Sequence, residues 1–305
     1  MIRIGPAGWS YPDSPGHVYA AGVPARFDAL AYLARYFDVI EINSTFYRPQ
    51  PPRTFASWVR RVAPNPAFRF TVKLWQRFTH ERAGPWTPED IRQVTEGLAV
   101  LRDEGRLGAL LAQFPWSFKP GPPAKDLLAR LAEAFRGLPL VVEVRHGEWG
   151  YPEHLDTFTG LGIGIANIDQ PLIGQSLTPA AHAAGGVGYV RFHGRNYEHW
   201  FAEREDTAQR YDYLYTVKEL APWVERIRTL GATGGVADVY VITNNHYEGK
   251  GPANALMLRS MLERRKVPAP PVLFQTYRES LAPYAEPADE ASEPSLFSSP
   301  PPETR

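Results

Sequence analysis

Residues 140–150 read "LVVEVRHGEWG", a short apolar run in which alternate positions carry charge. Val142 and Val144 share one face of the extended chain, and Glu143 and Arg145 share the other. A parallel strand that is buried on both faces normally reads as a continuous apolar run. The charged face therefore predicts a strand that packs against helices on its apolar side and lines a polar interior on the other.

Comparable runs recur along the whole chain. Most are bounded by Gly, Pro or polar residues, and they fall at 2–8, 39–46, 68–74, 107–115, 162–168, 187–194 and 238–245. Amphipathic helical patterns lie between them, as in "ARFDALAYLARYF" at 25–37. Eight such alternations predict parallel strands that close into a (β/α)8 TIM barrel. The rival is a doubly wound open sheet, which the absence of a glycine-rich phosphate motif after the first run disfavours.

The domain organisation follows from the same pattern. Residues 1–282 are predicted to form a single (β/α)8 barrel domain, with shorter helices at 54–62, 152–161 and 178–184. Residues 283–305 are rich in Pro, Ser and Glu. Such a composition offers too little apolar surface to offset the entropy of ordering, so we expect a disordered tail.

Composition excludes several classes of function. Lys plus Arg and Asp plus Glu number 33 each, and this balance argues against a protein that binds polyanions through bulk charge. The chain has no cysteine, which rules out disulfides, thiolate catalysis and Cys-type zinc sites. The start "MIRIGPAGW" lacks the apolar core of a signal peptide, and no apolar run approaches about 18 residues. We therefore expect a cytoplasmic protein with no membrane partner.

Polar residues alternate with apolar ones in three further runs, "VIEIN" at 39–43, "FRFTVKL" at 68–74 and "VRFHG" at 190–194. Helices must cover the outside of a barrel, so the polar faces are predicted to point into its lumen, near the carboxyl ends of the strands where barrel enzymes carry their chemistry. The predicted catalytic residues are Glu41, Lys73, Glu143 and His193.

Each of these groups is assigned a predicted role. Glu41 or Glu143 would act as general base, and His193 or Lys73 as acid. Arginine binds oxyanions through its planar fork, so a cationic mouth predicts an anionic ligand that is phosphorylated, nucleotide-like or a sugar acid. The predicted ligand-binding residues are Arg145, Arg191, Arg195, Asn43, Gln113, Asn244, Asn245, Tyr47, Trp9 and Tyr213.

The segment 194–216 exceeds the usual length of a loop between strand and helix. It is rich in aromatic residues, including Trp200, Phe201 and Tyr211. It is interpreted either as a lid that closes over the mouth or as an insertion that packs its own aromatic side chains.

Two other interpretations of the charged residues stay open. They could form a closed structural network of ion pairs such as Glu41–Lys73 and Glu143–Arg145. Glu41, Glu143 and His193 could also ligate a divalent metal. The neighbouring cations would neutralise these carboxylates, and the chain has no H-x-H or H-E-x-x-H spacing. No metal is therefore predicted, and the sequence identifies no cofactor or oligomeric state.

A series of motifs resembles a known family. The motifs "GPAGWSY", "EINSTFYRP", "FTVK" with "THER", "LAQFPWSFKP", "VEVRHGEW", "VRFHGRN", "RYDYLYT" and "TNNHYEGKGPANA" are similar to those of the YecE-like family, a domain of unknown function (domain of unknown function 72) with a TIM-barrel fold. The resemblance runs from about residue 3 to 265. It implies the barrel and a set of shared residues at its mouth, but it assigns none of them a catalytic role.

The sequence therefore predicts an uncharacterised barrel protein that acts as an enzyme on a small anionic molecule. Hydrolase, isomerase and lyase chemistry all fit a mouth equipped for proton transfer. A non-catalytic ligand sensor on the same scaffold is the main alternative. Nucleic-acid processing is a further alternative, which the zero net charge makes weaker.

Overall fold

The structure, a computed structural model, describes residues 1–81, 84–197 and 209–289. All eight predicted apolar runs form parallel strands of one sheet, in the order β1-β8-β7-β6-β5-β4-β3-β2. The strands are β1 (Ile2–Pro6), β2 (Val39–Ile42), β3 (Arg69–Lys73), β4 (Leu107–Gln113), β5 (Leu140–Glu143), β6 (Gly164–Asp169), β7 (Val187–Phe192) and β8 (Asp238–Thr243).

The two edges of this sheet meet. Just beyond β1, the backbone N–H of Gly8 donates to the carbonyl of Glu41 on β2 at 2.8 Å. The contact turns an open sheet into a nearly closed barrel, and it confirms the predicted (β/α)8 TIM-barrel class.

Helices surround the barrel. Within the described residues they are α1 (Ala29–Leu33), α2 (Pro52–Arg61), α3 (Pro88–Asp103), α4 (Pro122–Ala134), α5 (Pro152–Leu161), α6 (Val217–Ala232), α7 (Lys250–Glu263), α8 (Pro271–Thr276) and α9 (Arg278–Leu281). None of them is long and apolar enough to cross a membrane. The helix Pro152–Leu161 matches the predicted 152–161.

The helix predicted at 178–184 is wrong, because this segment between β6 and β7 is irregular. The side chain of Asn167 explains why. Its Nδ2 donates to the carbonyl of His182 at 2.9 Å, and its Oδ1 accepts from the N–H of His182 at 2.7 Å. Both backbone groups of His182 are therefore satisfied without a helical turn.

The start of the predicted tail also needs correction. Residues Ala285–Pro287 form a strand, β10, which pairs in parallel with β9 (Val267–Ala269). Ala285 is fully buried, so the ordered chain extends past the predicted boundary at 283. The overall composition of residues 283–305 is polar, so it did not reveal that Ala285 is buried. Residues 290–305 lie outside the described residues.

The barrel core divides as the alternation predicted. Ile40 and Ile42 of β2 and Val190 of β7 are fully buried. Glu41 and Arg191, which alternate with them, are buried as well, but they bond to each other across the lumen. Alternation therefore separates the apolar face beneath the helices from a polar face inside the barrel.

Candidate active site at the carboxyl ends of the strands

An ion network occupies the centre of the barrel. Arg191 donates from Nη2 to Oε1 of Glu41 at 2.6 Å and from Nη1 to Oε2 of Glu143 at 2.5 Å. All three side chains are at most 1% exposed. Tyr189 donates from its hydroxyl to the second oxygen of Glu41 at 2.9 Å. Both terminal nitrogens of Arg191 are thus engaged by carboxylates, so they are not positioned to hold the oxyanion of a ligand as predicted.

The remaining oxygen of Glu143, Oε1, is also bonded. It accepts from Nε and Nη2 of Arg145 at 3.1 and 3.0 Å and lies 3.1 Å from Nε2 of His193. Burial alone would raise the pKa of Glu143, but Arg191, His193 and Arg145 outweigh it and hold that pKa well below its usual range. A carboxylate that is permanently ionised and saturated with donors is a poor general base, so the geometry favours a structural role for Glu143.

His193 connects this network to the mouth. Its Nδ1 lies 3.2 Å from Nδ2 of Asn244, which donates to it, so the ring proton is on Nε2 and points at Glu143. Burial lowers the pKa of His193 to about 3, and the nearby Glu143 only partly opposes this. The ring is therefore neutral at physiological pH. It is unsuited to the predicted role of proton donor, and it fixes the orientation of Asn244 instead.

A cavity of about 440 Å³ opens at the carboxyl ends of β1, β2, β3 and β8. Its lining combines aromatic rings, amides and one cationic side chain: Gly8, Trp9, Ser10, Tyr11, Asn43, Ser44, Phe46, Tyr47, Lys73, Tyr211, Asn244 and His246. We name this space the mouth cavity. It brings together five of the predicted site residues, Trp9, Asn43, Tyr47, Lys73 and Asn244.

Among the described residues of that lining, Lys73, the last residue of β3, supplies the one formal charge at neutral pH. It is half-buried, and its ammonium lies 4.1 Å from the ring centroid of Phe46. No ion pair or hydrogen bond to its Nζ is found in residues 1–81, 84–197 and 209–289, because Arg191 rather than Lys73 pairs with Glu41. Burial and repulsion by Arg191 lower the pKa of Lys73 to about 7, against the opposing pull of Glu41 and Glu143. The amine therefore changes its protonation near neutral pH.

Asn43 presents an unsatisfied group in the lining of the same cavity. Its Oδ1 is buried and has no hydrogen-bond partner among the described residues, while its Nδ2 lies 3.5 Å from the hydroxyl of Tyr11. Gly8 makes the close approach of Tyr11 possible, because a Cβ at this position would lie 2.5 Å from the Tyr11 hydroxyl. An orphaned acceptor at the edge of a cavity is a natural contact for a ligand donor.

Stacked rings form one wall of the mouth cavity. Tyr11 lies flat against His246, with ring centroids 4.0 Å apart and an interplanar angle of 2°. Tyr211 contacts the same imidazole at 4.9 Å. Burial lowers the pKa of His246 to about 4, so this ring is neutral at physiological pH. Tyr47 stands at the rim with 70% of its surface exposed, and Trp9 packs edge-on against Trp58. Such walls suit flat rings or sugar faces.

Three predicted ligand-binding residues lie in a separate network and not in the lining of the mouth cavity. Arg195 binds both oxygens of Asp169 at 2.8 and 2.7 Å. Tyr213 donates to Glu219 at 2.5 Å, and Asn245 donates to the carbonyl of Tyr213 at 2.8 Å. These contacts anchor the segment after β7 to the barrel, so the expected oxyanion role of Arg195 is not supported by its position.

Two other predicted residues, Gln113 and Arg145, are not in the lining of the mouth cavity. Gln113 ends β4 in register with Glu143 and is half-buried. Arg145 is mostly buried and points its guanidinium at Glu143, within 3.5 Å of His193. Trp200 and Phe201, central to the predicted lid, lie outside the described residues. Among the residues that are described, no group of three or more His, Asp or Glu side chains is arranged to hold a metal ion.

Sequence reasoning missed part of the cavity wall. Ser10 and His246 follow β1 and β8, which are neighbours in the sheet, so their loops meet at one side of the mouth. Their position after a strand end was the available signal. Strand alternation says nothing about the path of a loop, and for this reason the stacking of Tyr11 on His246 was not predictable from it.

These features define a TIM barrel with a candidate site at the carboxyl ends of its strands. The model of the family described as "Protein of unknown function DUF72" matches residues 3–275, and the chain belongs to that family. It is 26% identical to the UPF0759 protein YunF of Bacillus subtilis (strain 168) over 276 residues, 86% of this chain and 95% of that protein.

Solved structures agree with this assignment. A DUF72 family protein from Thermotoga maritima MSB8 is 32% identical, with a TM-score of 0.74 over 86% of this chain and 99% of that one. A second one, from Enterococcus faecalis V583, is 24% identical and also has a TM-score of 0.74, over 86% and 96% of the two chains. The first supports the family, and the second supports the fold.

Proposed function

We propose that this protein is an enzyme that binds a small anionic molecule in the mouth cavity and transfers a proton through Lys73. The observation that carries the proposal is the state of Lys73: a half-buried cation that faces a cavity without an ion-pair partner among the described residues. Other charged groups of the barrel centre are mutually neutralised, since Arg191 and Arg145 face Glu41 and Glu143.

An anionic ligand accounts for this imbalance of charge. A cation held away from bulk water gains more from a bound phosphate or carboxylate than an exposed one does. The volume of about 440 Å³ falls within the usual range of small-molecule sites. The stacked pair Tyr11 and His246 offers a flat surface for a sugar or base attached to the anionic group. Phosphorylated, nucleotide-like and sugar-acid ligands all meet these conditions.

The roles now differ from those expected from the sequence. Lys73 takes the acid and base role, since a pKa of about 7 leaves both protonation states populated. Asn43 and Asn244 orient polar groups of the ligand. His193 accepts a hydrogen bond from Asn244, and Glu143 holds the other side of the imidazole. Neither residue contacts the ligand. Hydrolysis, isomerisation and elimination each need a proton transfer, so the reaction type stays open among these classes.

The experiment compares ligand-induced thermal stabilisation across sugar phosphates, nucleotides and sugar acids. We expect at least one of these to raise the melting temperature of the wild type. The shift should disappear in Lys73→Met, persist in part in Lys73→Arg, and remain unchanged in Lys218→Met, which removes an exposed lysine. A shift that survives Lys73→Met would refute the assignment. Binding without any turnover would leave the protein a ligand sensor.

A further inference from the structure

We propose that Lys73 is a covalent nucleophile, and that the substrate carries an aldehyde or ketone group with which it forms a Schiff base. This inference rests on the proposed function and deepens it, because it names the reactive group of the anionic molecule. It departs from that function in one respect. The amine attacks carbon and does not only carry a proton.

The environment of Lys73 leaves its amine available for attack. A lysine with a structural role normally forms an ion pair through its ammonium group, as Lys250 does with Asp212 at 2.5 Å. Lys73 instead faces the ring of Phe46 at 4.1 Å and the open space of the mouth cavity. The ring face stabilises only the ammonium form, so the neutral amine leaves that contact at little cost. The strand end holds the backbone, since Thr45 donates to the carbonyl of Lys73 at 2.7 Å.

Electrostatics favour the reactive form. Burial and the nearby Arg191 lower the pKa of Lys73 to about 7, and desolvation next to another cation is a known way to activate a lysine. At neutral pH about half of such amines are unprotonated, compared with about one in a few thousand for an ordinary lysine. Each of the other five lysines lies outside the mouth cavity.

The chemistry balances without a further reactant. The lone pair of Nζ forms a bond to the carbonyl carbon while the carbonyl oxygen takes up a proton, which gives a carbinolamine. The hydroxyl then leaves as water after a second protonation, and the nitrogen lone pair forms the C=N bond. The nitrogen loses one of its two protons on the way, so the net reaction joins one amine, one carbonyl and one proton and releases one water.

Two orphaned polar atoms fit these proton transfers. Oδ1 of Asn43 and Nδ1 of His246 are buried, have no hydrogen-bond partner among the described residues, and belong to side chains that line the mouth cavity. The amide oxygen can accept from the carbinolamine hydroxyl or the iminium N–H. Nδ1 of the neutral His246 imidazole can form a hydrogen bond with the carbinolamine hydroxyl, as donor or acceptor according to its tautomer. Both atoms therefore gain a partner when the adduct forms.

Reductive trapping tests the inference. The full-length protein is incubated at pH 7 with glyoxylate, pyruvate or glyceraldehyde 3-phosphate and sodium cyanoborohydride, and the modified lysine is identified by peptide mass spectrometry. With at least one probe we expect Lys73 to be modified at least about tenfold faster than Lys218, as its larger neutral fraction implies. Labelling of Lys73 that is no faster than that of Lys218 with all three probes would overturn the inference.

A second variant separates this outcome from failure of the proposed function. Lys73→Arg keeps the cation but lacks a nucleophilic amine. It should lose the adduct while retaining part of the anion-induced thermal shift, with a circular dichroism spectrum like that of the wild type. If the wild type shows the anion-induced shift but no adduct, covalent catalysis is wrong and the proposed function stands. If it shows neither, both are wrong.

Discussion

Arg191 and Glu41, 150 residues apart in the chain, meet at 2.6 Å in the centre of the barrel. Their strands, β7 and β2, are not neighbours in the sheet, so the pair spans the lumen. The same guanidinium also binds Glu143 of β5. Three strands are thus tied together by one planar group, whose fork geometry accepts two carboxylates at once. A lysine could not have served both with the same geometry.

Replacing this arginine should destabilise the protein strongly. Arg191→Met would leave two buried carboxylates without their shared cation, and breaking a buried ion pair from one side typically costs about 3–5 kcal/mol. We expect a loss of that order in the free energy of unfolding, measured by urea denaturation at pH 7. Restoring neutrality with the triple variant Arg191→Met, Glu41→Gln, Glu143→Gln should recover part of the loss.

An exposed arginine provides the control. Arg92 binds Glu89 and Glu96 on the surface of α3, where solvent screens the pairs. Exposed ion pairs contribute little to stability, so Arg92→Met should change the unfolding free energy far less than Arg191→Met does. Equal effects of the two substitutions would show that the central network does not stabilise the barrel.

The buried imidazole of His193 should make stability depend on pH. Its pKa is about 3 in the folded protein, below its ordinary value of 6.5, so below pH 6.5 the unfolded chain binds a proton that the folded chain does not. Stability should therefore be full above pH 6.5 and fall as the pH drops toward 3. Glu143, Arg145, Arg191 and Asn244 are the polar groups that face the ring.

His193→Gln tests this origin. Glutamine cannot titrate but can still donate to Glu143. The slope of unfolding free energy against pH between about 4.5 and 6 should shrink by up to about 1.4 kcal/mol per pH unit, the contribution of one proton. His246, with its pKa lowered to about 4, should leave a residual slope of the same sign. Identical slopes in variant and wild type would contradict the assignment.

Lys73 should lower the free energy of unfolding, because its ammonium is partly buried in the folded protein. In the folded chain its pKa is about 7, below its ordinary 10.5, so between these values the unfolded state binds the extra proton and stability rises with pH. Arg191 and Arg145 oppose the charged form, and Glu41 and Glu143 favour it. Lys73→Met removes the penalty that a buried ammonium imposes at low pH. The variant should be more stable than wild type at pH 6, by on the order of 2 kcal/mol.

The measurement is the difference in unfolding free energy between the two proteins from pH 6 to pH 10.5. The gain should be constant below about pH 7 and shrink from there to about pH 10.5, because in that interval only the unfolded state still binds the proton. Lys218→Met, at an exposed position, should show no such trend. A variant that is less stable than wild type at pH 6 would mean that Lys73 is satisfied by its surroundings.

Strand alternation was sufficient to predict the barrel and the inward direction of Glu41, Glu143, Arg191 and His193. It could not predict which cation would sit between the two carboxylates. Lys73 and Arg191 both face the lumen, and the choice between them depends on the stagger of the strands around the barrel. Because Arg191 pairs with both carboxylates, Lys73 has no ion-pair partner among the described residues. The alternative Glu41–Lys73 ion pair is therefore not formed, and Lys73 is available to a ligand in the mouth cavity.

The family motifs predicted the positions of side chains less well than the alternation of polar and apolar residues within the strands did. Arg195 and Asn245 both follow a strand by two residues or more, so strand alternation no longer sets the direction of their side chains. Arg195 is then close enough to Asp169 to form a paired contact on the outer side. Residues inside a strand are placed by its geometry, whereas residues beyond it are placed by contacts that are distant in sequence.

Gly8 tests the cavity wall, because two features make it intolerant of a side chain. Its φ is +73°, and an added Cβ would lie 2.5 Å from the hydroxyl of Tyr11. Gly22 has a φ of +75°, but no atom lies within 4 Å of such a Cβ. A substitution there therefore measures the cost of the positive φ without a steric clash. Gly22→Ala should cost about 1 kcal/mol, whereas Gly8→Ala should cost about 1–3 kcal/mol more and displace Tyr11 from His246. Only Gly8→Ala should reduce the anion-induced thermal shift. Equal losses of stability and ligand response in the two variants would show that Tyr11 does not shape the mouth cavity.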